Sequence, residues 1–500
     1  MAARPNILLI QTDQLTATVL GAYGNPVCHA PHLDRLAQDG LVFEWAYCNF
    51  PLCGPSRFSM ATGQLASRIG AYDNGADWPA GMPTYAHHMR RAGYLTCLSG
   101  KMHFVGPDQL HGFEVRLTSD IYPSDFLWSA DWDRIDFHGA TDERMLNEAG
   151  PCERSVQIDY DDEATFQATR WLFDYRRSSE ERPFFLHVSY THPHDPYLCL
   201  TRHWDLYDDV DIPMPNVFSL PEDAHDTHSL NLLRQHGLLN ATVTEDQVRR
   251  ARRAYYGSVS YIDEKVGELL EALDATGLRN DTLIIFTSDH GEMLGERGMW
   301  LKKSFYEPSM RIPMILSGAG VESPVRSTTP VSLVDILPTC LGAADRTNGG
   351  PDELDGADLI SLSHDDTHRP VFGEILSEGT PAPSYMIRRG PMKYIWSSAF
   401  PAQLYDLATD PNELTNLADD PAHAGTAEEF AAEVAARWND AQITADIRLS
   451  QQRRKLIVEA MVQGSPVSWD YEPPQRGNWF RGQANYNDWA FEHLPPREGS

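Results

Sequence analysis

Basic residues are scarce in this chain of 500 residues: 41 Lys and Arg stand against 71 Asp and Glu, which leaves a net charge of −30. So acidic a surface repels the phosphate backbone, which excludes nucleic acid as a general partner. It is also repelled from an anionic membrane face. Long apolar runs are missing as well, because no stretch approaches the roughly 20 apolar residues that a transmembrane helix needs. We therefore expect neither nucleic acid nor a membrane as a partner.

Paired cysteines and a long apolar stretch near the N-terminus are also missing. The first apolar stretch, residues 7–10, is too short for a signal peptide. The seven cysteines are scattered and contain no CxxC pair, which predicts a reducing compartment, no disulfide framework and no structural zinc site. We therefore expect a cytoplasmic protein. A hydrophobic content of 42% excludes disorder, and the length allows one large α/β domain with an appendage.

Short apolar runs in the first two thirds of the chain predict buried strands, because they lack the polar alternation of half-exposed ones. These runs are residues 6–12, 94–98, 184–190, 282–288 and 312–316. Helices are predicted between them, at residues 32–38, 83–92 and 254–275. Strands that alternate with helices predict an α/β fold with a large doubly wound sheet, mixed or parallel, flanked by helices.

The pattern changes after about residue 350. Closely spaced strands predict a smaller antiparallel sheet, and two helices follow it. The strands are residues 370–376, 384–388 and 393–396, and the helices are residues 426–438 and 449–462. The predicted organisation is an α/β domain at 1–365, an α+β subdomain at 366–445 and an extended tail at 446–500. The tail is rich in aromatic residues and proline, so we expect it to contact a neighbouring subunit in a homodimer or homotetramer.

Two of the predicted strands end in acidic residues, Asp13 and Asp289. An aspartate after a strand is often only a turn or capping residue, and either one alone is best explained that way. Ligands of open α/β sheets, however, bind at the carboxyl ends of the strands. Two carboxylates brought together there would repel each other unless a cation lies between them. The pair therefore predicts a divalent metal site, with Gln14 and His290 as further ligands.

The stretch from Cys53 to Arg57 predicts an anion site. Cys53 alone would be interpreted as a small buried hydrophobic residue. Here it lies two residues before Pro55, at a predicted helix start, with Arg57 within one turn. A helix N-terminus and a guanidinium group both favour a bound anion.

This stretch, Cys53-Gly54-Pro55-Ser56-Arg57 followed by Thr62-Gly63, resembles the Cys-x-Pro-Ser-Arg and Thr-Gly signature of the type I sulfatases of the alkaline phosphatase superfamily. The resemblance implies an alkaline phosphatase-like fold, with residues 1–365 as the catalytic domain. It also implies that a formylglycine-generating enzyme converts Cys53 to formylglycine. One hydroxyl of the hydrated aldehyde would attack sulfur while the metal helps hold it as an alkoxide, and loss of the proton of the other would expel sulfate.

The same resemblance implies which residues bind the sulfuryl group and the metal. The sulfuryl residues, in addition to Arg57, are Lys101, His103, His194 and Lys302. Lys101 and His103 would share one face of an extended segment. His192 is the less favoured alternative to His194, and Lys303 competes with Lys302. The metal ligands are Asp13, Gln14, Asp289, His290 and modified Cys53. Since imidazole tolerates Mn²⁺ better than Ca²⁺, His290 leaves both ions open, with Mg²⁺ behind them.

Residues 5–469 closely resemble the choline sulfatases, notably in GKMHFVGPDQLHGFE and SDHGEMLGERGMW. A quaternary ammonium needs aromatic faces and a nearby carboxylate. Trp128 is the first aromatic candidate, with Tyr122 and Trp132 behind it, and Glu378 is the candidate carboxylate. One departure weakens cation recognition: the acidic residue that choline sulfatases keep in an Arg-Asn-His-Met-Asp-like run near the C-terminus is displaced to Asp488.

Three functions stay open. The first is hydrolysis of a small sulfate monoester, either choline-O-sulfate or an aryl or alkyl sulfate. The second is hydrolysis of phosphonate monoesters or phosphodiesters by the same residues, which we also expect as a side activity because these esters are singly charged tetrahedral anions. The third is a binding protein without activity, which the complete set of candidate catalytic residues argues against.

Overall fold

The structure is a computed structural model that describes residues 4–133, 143–346, 350–363, 366–465 and 468–472. Within these residues, its main sheet has eight strands. They are Asn6–Thr12 (β1), Leu41–Phe43 (β2), Leu95–Gly100 (β3), Val115–Arg116 (β4), Phe184–Ser189 (β5), Thr282–Ser288 (β6), Met314–Gly318 (β7) and Val325–Ser327 (β8). Every residue of β1 and β6 is buried, as the unbroken apolar runs predicted.

The order of the strands across this sheet is β8-β2-β7-β6-β1-β5-β3-β4. Strands β6, β1, β5, β3 and β4 run parallel, and β7 runs antiparallel to both β6 and β2. The predicted strand at 312–316 begins only at Met314, because Pro313 has no N–H to donate to the ladder. The carboxyl ends of the parallel strands lie at one edge of the sheet, which is where a site is expected.

Helices flank the sheet. The longer ones are Pro31–Gln38 (α1), Cys53–Thr62 (α2), Tyr85–Arg91 (α3), Val156–Arg177 (α4), Thr227–Gln235 (α5), Glu245–Ala275 (α6), Ile336–Ala343 (α7), Ala424–Arg437 (α8) and Asp440–Met461 (α9). Four-residue helices lie at Ala66–Ile69, Arg144–Asn147, Thr201–Trp204 and Glu307–Met310. Within the described ranges, each helix is too short or too polar to cross a bilayer.

Two helices begin well before the predicted positions, 254 and 449. Helix α6 begins at Glu245, after a capping box in which Thr244 and Gln247 exchange hydrogen bonds. Helix α9 begins at Asp440, where the side chain of Asn439 accepts from the Gln442 N–H. The charged first turns of both helices lack the apolar periodicity on which the prediction depended, and their caps were the available signal.

The C-terminal sheet has four antiparallel strands in the described chain, in the order β9-β10-β11-β12. They are Val371–Ile375 (β9), Ser384–Arg389 (β10), Met392–Ser397 (β11) and Gln403–Asp406 (β12). The first three were predicted, and β12 was missed. This sheet and the main sheet confirm the predicted fold class. The division at 365 and 445 stays a prediction.

A buried ion cluster joins the C-terminal sheet to the short helix that precedes β7. The ammonium group of Lys393, on β11, lies 2.8 Å from a Glu413 oxygen and 2.7 Å from an oxygen of Glu307. Lys393 is fully buried, so its charge must be paired in place. Smaller two-stranded sheets pair Ala46–Tyr47 with Val331–Ser332 and Gly150–Cys152 with Leu198–Leu200.

Candidate active site

Neighbouring strands bring the two predicted carboxylates together. Thr12 pairs with Ser288 in the β1–β6 ladder, so Asp13 and Asp289 leave the sheet side by side. Ligand atoms of four buried residues lie within 4.8 Å of one another. They belong to Asp13, Cys53, Asp289 and His290. The Nε2 atom of His290 is 3.8 Å from Asp13 Oδ1 and 3.7 Å from Asp289 Oδ1.

Cys53 is the first residue of α2, as the Pro55 position predicted. Its Sγ lies 3.3 Å from His290 Nε2 and 3.7 Å from Asp13 Oδ1. The whole helix is buried, and the Gly54 N–H donates to Asn74 Oδ1 at 2.9 Å. The Cys53 side chain is therefore held at a buried helix N-terminus, directly against the carboxylate–imidazole cluster.

Two cationic side chains, Arg57 and Lys101, neutralise the Oδ2 atoms of the two carboxylates. Arg57 donates from Nε to Asp289 Oδ2 at 2.8 Å and from Nη2 to Asp13 Oδ2 at 3.0 Å. Lys101 also donates to Asp13 Oδ2. Burial would raise the pKa of Asp13, but the charges of Lys101 and Arg57 outweigh burial and hold that pKa well below its ordinary value. Both Oδ1 atoms are left facing Cys53 and His290.

This donor set fits a divalent cation. Two ionised carboxylates and an imidazole are ligands that Ca²⁺ or Mn²⁺ accepts, and Asp289 Oδ1 is oriented by the Gln14 and His290 N–H groups at 3.0 and 2.8 Å. Burial lowers the pKa of His290, which keeps its imidazole neutral for coordination. The Gln14 side chain accepts from Lys302 and donates to Glu292, so its role as a ligand stays a prediction.

Lys101 and His103 converge on the site, although the extended segment predicted for them is wrong. The chain turns there, with positive φ at Gly100 and His103, because Asp120 accepts from the N–H of His103 at 2.7 Å. Both side chains contact the ring of Tyr122. Burial and the charge of Lys101 lower the pKa of His103 to about 3, so its imidazole is neutral.

His194 and Lys302 form a pair beside this cluster. Nδ1 of His194 donates to the Asp195 carbonyl at 2.7 Å, which leaves Nε2 as the acceptor for Lys302 Nζ at 2.6 Å. Burial alone would lower the pKa of Lys302, but the negative charges of nearby carboxylates, Asp195 and Asp13, outweigh it and raise that pKa. Lys302 therefore keeps its proton.

The alternatives to this pair have other partners. His192 is buried and hydrogen-bonded through Nδ1 to Asp161 at 2.6 Å. Lys303 forms an ion pair with Glu378 at 2.8 Å. Both side chains are thus engaged away from Cys53, which favours His194 and Lys302 as the residues of the site.

Aromatic side chains border the site. The Trp128 ring is 41% exposed and lies 4.7 Å from the ring of Tyr122 and 5.5 Å from that of His103, between centroids. Trp132 instead is buried and donates to main-chain carbonyls of residues 377 and 380, which makes it a structural residue. Glu378 accepts from the Asn74 N–H at 3.3 Å. The displaced tail segment, residues 481–488, lies outside the described residues.

Sequence reasoning missed several residues that hold the site. Ser189, which accepts from Arg57 at 2.7 Å, ends β5 and could have been found by the strand-end argument used for Asp13. Asp195 and Glu292 follow predicted site residues within two positions, which was a weaker signal. Asn74 lies in a loop without periodicity, and nothing in the sequence pointed to it.

Comparisons with known proteins agree with this geometry. Residues 5–346 match the Sulfatase family, residues 295–440 the N-sulphoglucosamine sulphohydrolase C-terminal family and residues 445–489 the choline sulfatase enzyme C-terminal family. A choline-sulfatase of Rhizobium meliloti is 43% identical over 492 residues, which cover 95% of either chain. An arylsulfatase of Clostridium perfringens is 30% identical over 442 residues, or 83% of this chain and 90% of that one.

The solved structure of the phosphonate monoester hydrolase of Agrobacterium radiobacter has the same fold, with a TM-score of 0.69 at 24% identity. It covers 87% of this chain and 95% of that one. The likeness concerns the fold, whereas the relatives of higher identity are named for sulfate ester hydrolysis. The chain therefore belongs to the sulfatase family of the alkaline phosphatase superfamily, and it is a hydrolase of sulfate esters.

Proposed function

We propose that this sulfatase hydrolyses a small sulfate monoester, choline-O-sulfate in particular, at Cys53 after that residue has become formylglycine. The observation that carries the proposal is the position of Cys53 at the start of α2, against two carboxylates and among the charged side chains of Lys101 and Lys302. The choline-sulfatase relative and the C-terminal family match support the choice of alcohol. Aryl sulfates and other alkyl sulfates fit the same site.

Membership of the family implies a metal ion and formylglycine. Formylglycine supplies a hydrated aldehyde, one hydroxyl of which is a nucleophile toward sulfur while the other lets sulfate depart. The metal ion supplies Lewis-acid stabilisation of negative charge on oxygen. We assign Asp13, Asp289 and His290 as protein ligands, completed by Gln14 and modified Cys53. Ca²⁺ and Mn²⁺ are the candidate ions.

Lys101 and Lys302 are the proposed donors to the sulfuryl oxygens, next to Arg57, and His103 lies beside them as a proposed acceptor. Both lysines keep their charge because nearby anions raise their pKa above the ordinary value against the effect of burial. His103 is neutral, and its Nε2 donates to the Asn74 carbonyl at 3.0 Å. That bond leaves Nδ1 of His103 as an acceptor for a hydroxyl proton.

The leaving alcohol needs a proton, and the His194–Lys302 pair is arranged to hold one. Lys302 carries the proton at Nζ, between Nε2 of His194 and Oε1 of Gln14. Asp195 lies 3.8 Å from the same nitrogen and balances its charge. We therefore assign Lys302 as the proton donor and His194 as the residue that orients it.

Replacement of Lys302 by Ala should harm poor leaving groups most. An alkyl sulfate needs the proton, so its kcat/KM should fall about 10³-fold, whereas nitrophenyl sulfate should lose only about tenfold because its leaving group is already stable as an anion. Steady-state rates with the two substrates measure the difference. Lys303→Ala is the comparator with an alkyl sulfate whose alcohol is uncharged, and it should lower both rates to the same extent, because its partner Glu378 is assigned only to a cationic alcohol. An equal loss for both substrates in K302A would contradict the assignment.

We assign the binding of the substrate's alcohol group to the aromatic side chains that border the site. Trp128 and Tyr122 offer two ring faces to a quaternary ammonium, and Trp128 is exposed enough to receive it. Glu378 is the proposed carboxylate: its Oε2 accepts from the Asn74 N–H at 3.3 Å, and its Oε1 shares its charge with Lys303 at 2.8 Å.

A panel of substrates tests the proposed function. We expect choline sulfate to be hydrolysed about tenfold more efficiently, as kcat/KM, than its neutral isostere, in which carbon replaces the quaternary nitrogen. An aryl phosphonate monoester should be slower than either sulfate. Faster turnover of the phosphonate would overturn the choice of sulfate, and equal rates for choline sulfate and its isostere would overturn the choice of a cationic alcohol.

Maturation, assembly and compartment complete the proposal. Conversion of Cys53 requires a formylglycine-generating enzyme, and peptide mass spectrometry of protein from its native host tests it. All seven cysteines are free, which supports a cytoplasmic location. A homodimer or homotetramer is expected, and light scattering measures it.

A further inference from the structure

A buried ion pair joins the C-terminal helix α9 to the loop that precedes Asn74. Arg454 donates from Nη2 to Asp73 Oδ2 at 2.8 Å and from Nη1 to Asp73 Oδ1. Asp73 is 1% exposed and Arg454 is 2% exposed. A two-pronged bond between a guanidinium and a carboxylate fixes both groups in position and orientation. None of the roles assigned above uses this pair.

The same two side chains hold the loops on either side of the proposed alcohol pocket. Arg454 Nη1 donates to Ser129 Oγ at 2.9 Å, and the Ala130 N–H donates to Asp73 Oδ2 at 3.3 Å. These two residues directly follow Trp128. In the second loop, Ser377 Oγ donates to Asp73 Oδ2 at 3.0 Å, and Ser377 directly precedes Glu378. The Asp73 carboxylate thus links the loops that carry Trp128 and Glu378, the two candidate residues for binding the cation.

Asp73 is also connected to the reacting centre through the next residue. Asn74 accepts from the Gly54 N–H at 2.9 Å, next to Cys53, and from Nε2 of His103 at 3.0 Å. Helix α9 adds two bonds to the Trp128 loop: the Trp132 N–H donates to Gln451 Oε1, and Lys455 donates to Asp131. Through these contacts, the distance between the aromatic border and Cys53 depends on the position of α9.

We infer that Asp73 and Arg454 are a positioning pair that sets the preference for a cationic alcohol by fixing Trp128 and Glu378 relative to Cys53. The inference rests on the proposed function, since it explains how the alcohol pocket keeps its shape. Neither side chain touches substrate, so the pair acts through the residues it holds. An error of about 1 Å in such a position can cost on the order of 10²-fold in rate, so a buried pair is a strong determinant.

The test replaces Arg454 by Met and compares choline sulfate with its neutral isostere. We expect the KM for choline sulfate to rise about tenfold with little change in kcat, and the preference for the cation to disappear. The constants for the isostere should change by less than about threefold. A structural role alone would instead lower both activities together. Exposed Arg453 on the same helix is the matched control, and Arg453→Met should behave like the parent protein.

Further variants protect the test from a folding defect. Arg454→Met leaves the Asp73 charge buried and unpaired, whereas D73N with R454M removes both charges, and Arg454→Lys keeps the charge but loses the second bond. The double variant should lose the preference as the single one does, and Arg454→Lys should be intermediate. A folded variant that keeps the preference overturns the inference. If the parent protein shows no preference, the proposed alcohol fails first and the inference falls with it.

Discussion

Replacement of Cys53 by Ala should reduce turnover of every sulfate ester by about 10⁴-fold or more. Loss of a catalytic nucleophile has effects of this size because the remaining groups can bind the substrate but cannot form the covalent bond. Cys53 is buried at the start of α2 and is 3.3 Å from His290. Replacement of this one small side chain leaves the ion pairs of Arg57 intact, so the variant should fold and still bind substrate.

Three measurements check this prediction. Initial rates give the loss of activity, thermal unfolding should give a Tm within a few degrees of that of the parent protein, and calorimetry should still detect bound choline sulfate. Cys340→Ala is the matched control, because Cys340 is equally buried and lies in α7, outside the site. Its rate should be unchanged. Residual activity of C53A within about tenfold of the parent protein would remove the formylglycine mechanism.

The parts of the site that sequence could predict are those fixed by local chemistry. Asp13 and Asp289 each end an unbroken apolar run, and parallel strands deliver their carboxyl ends to one edge. Cys53 precedes Pro55 at a helix start, a short-range signal that the structure confirms. The fold class followed from the same runs. The resemblance to the sulfatases then identified four further site residues, Lys101, His103, His194 and Lys302. No local pattern predicts where their side chains lie.

Other features depended on contacts between distant segments. His103 has a left-handed backbone because Asp120 accepts from its N–H, and a periodicity argument could not include that bond. Asp73 and Arg454 are 381 residues apart in the chain, so neither position carries a signal for the other. Trp132 is a tryptophan like Trp128 and lies close to it in the sequence. Only its two bonds to main-chain carbonyls identify it as structural.

Removal of the divalent ion should abolish activity while the protein stays folded. The charges of Asp13 and Asp289 are already balanced by those of Arg57 and Lys101, all four within one hydrogen-bonded cluster. The ion-free cluster is therefore neutral, and no pair of buried carboxylates is left to repel. A bound divalent ion makes the same cluster doubly positive, which suits a sulfate ester that carries one negative charge and develops more on its leaving oxygen.

Dialysis against a chelator should reduce the rate to about 1% or less. Tm should fall only by a few degrees, because an ion at about 100 times its Kd adds about 2.7 kcal/mol to the free energy of unfolding. Readdition of Ca²⁺ or Mn²⁺ identifies the ion by the activity it restores, with Mg²⁺ as the weaker alternative. Asp289→Asn is the matched variant: it should lose activity that no ion restores, since it removes a charged ligand and one of the two ion pairs of Arg57. Full activity after chelation, verified by metal analysis, would contradict a metal-dependent site. Collapse of the fold on chelation would contradict the charge balance, because it would mean that Arg57 and Lys101 cannot hold the two aspartates alone.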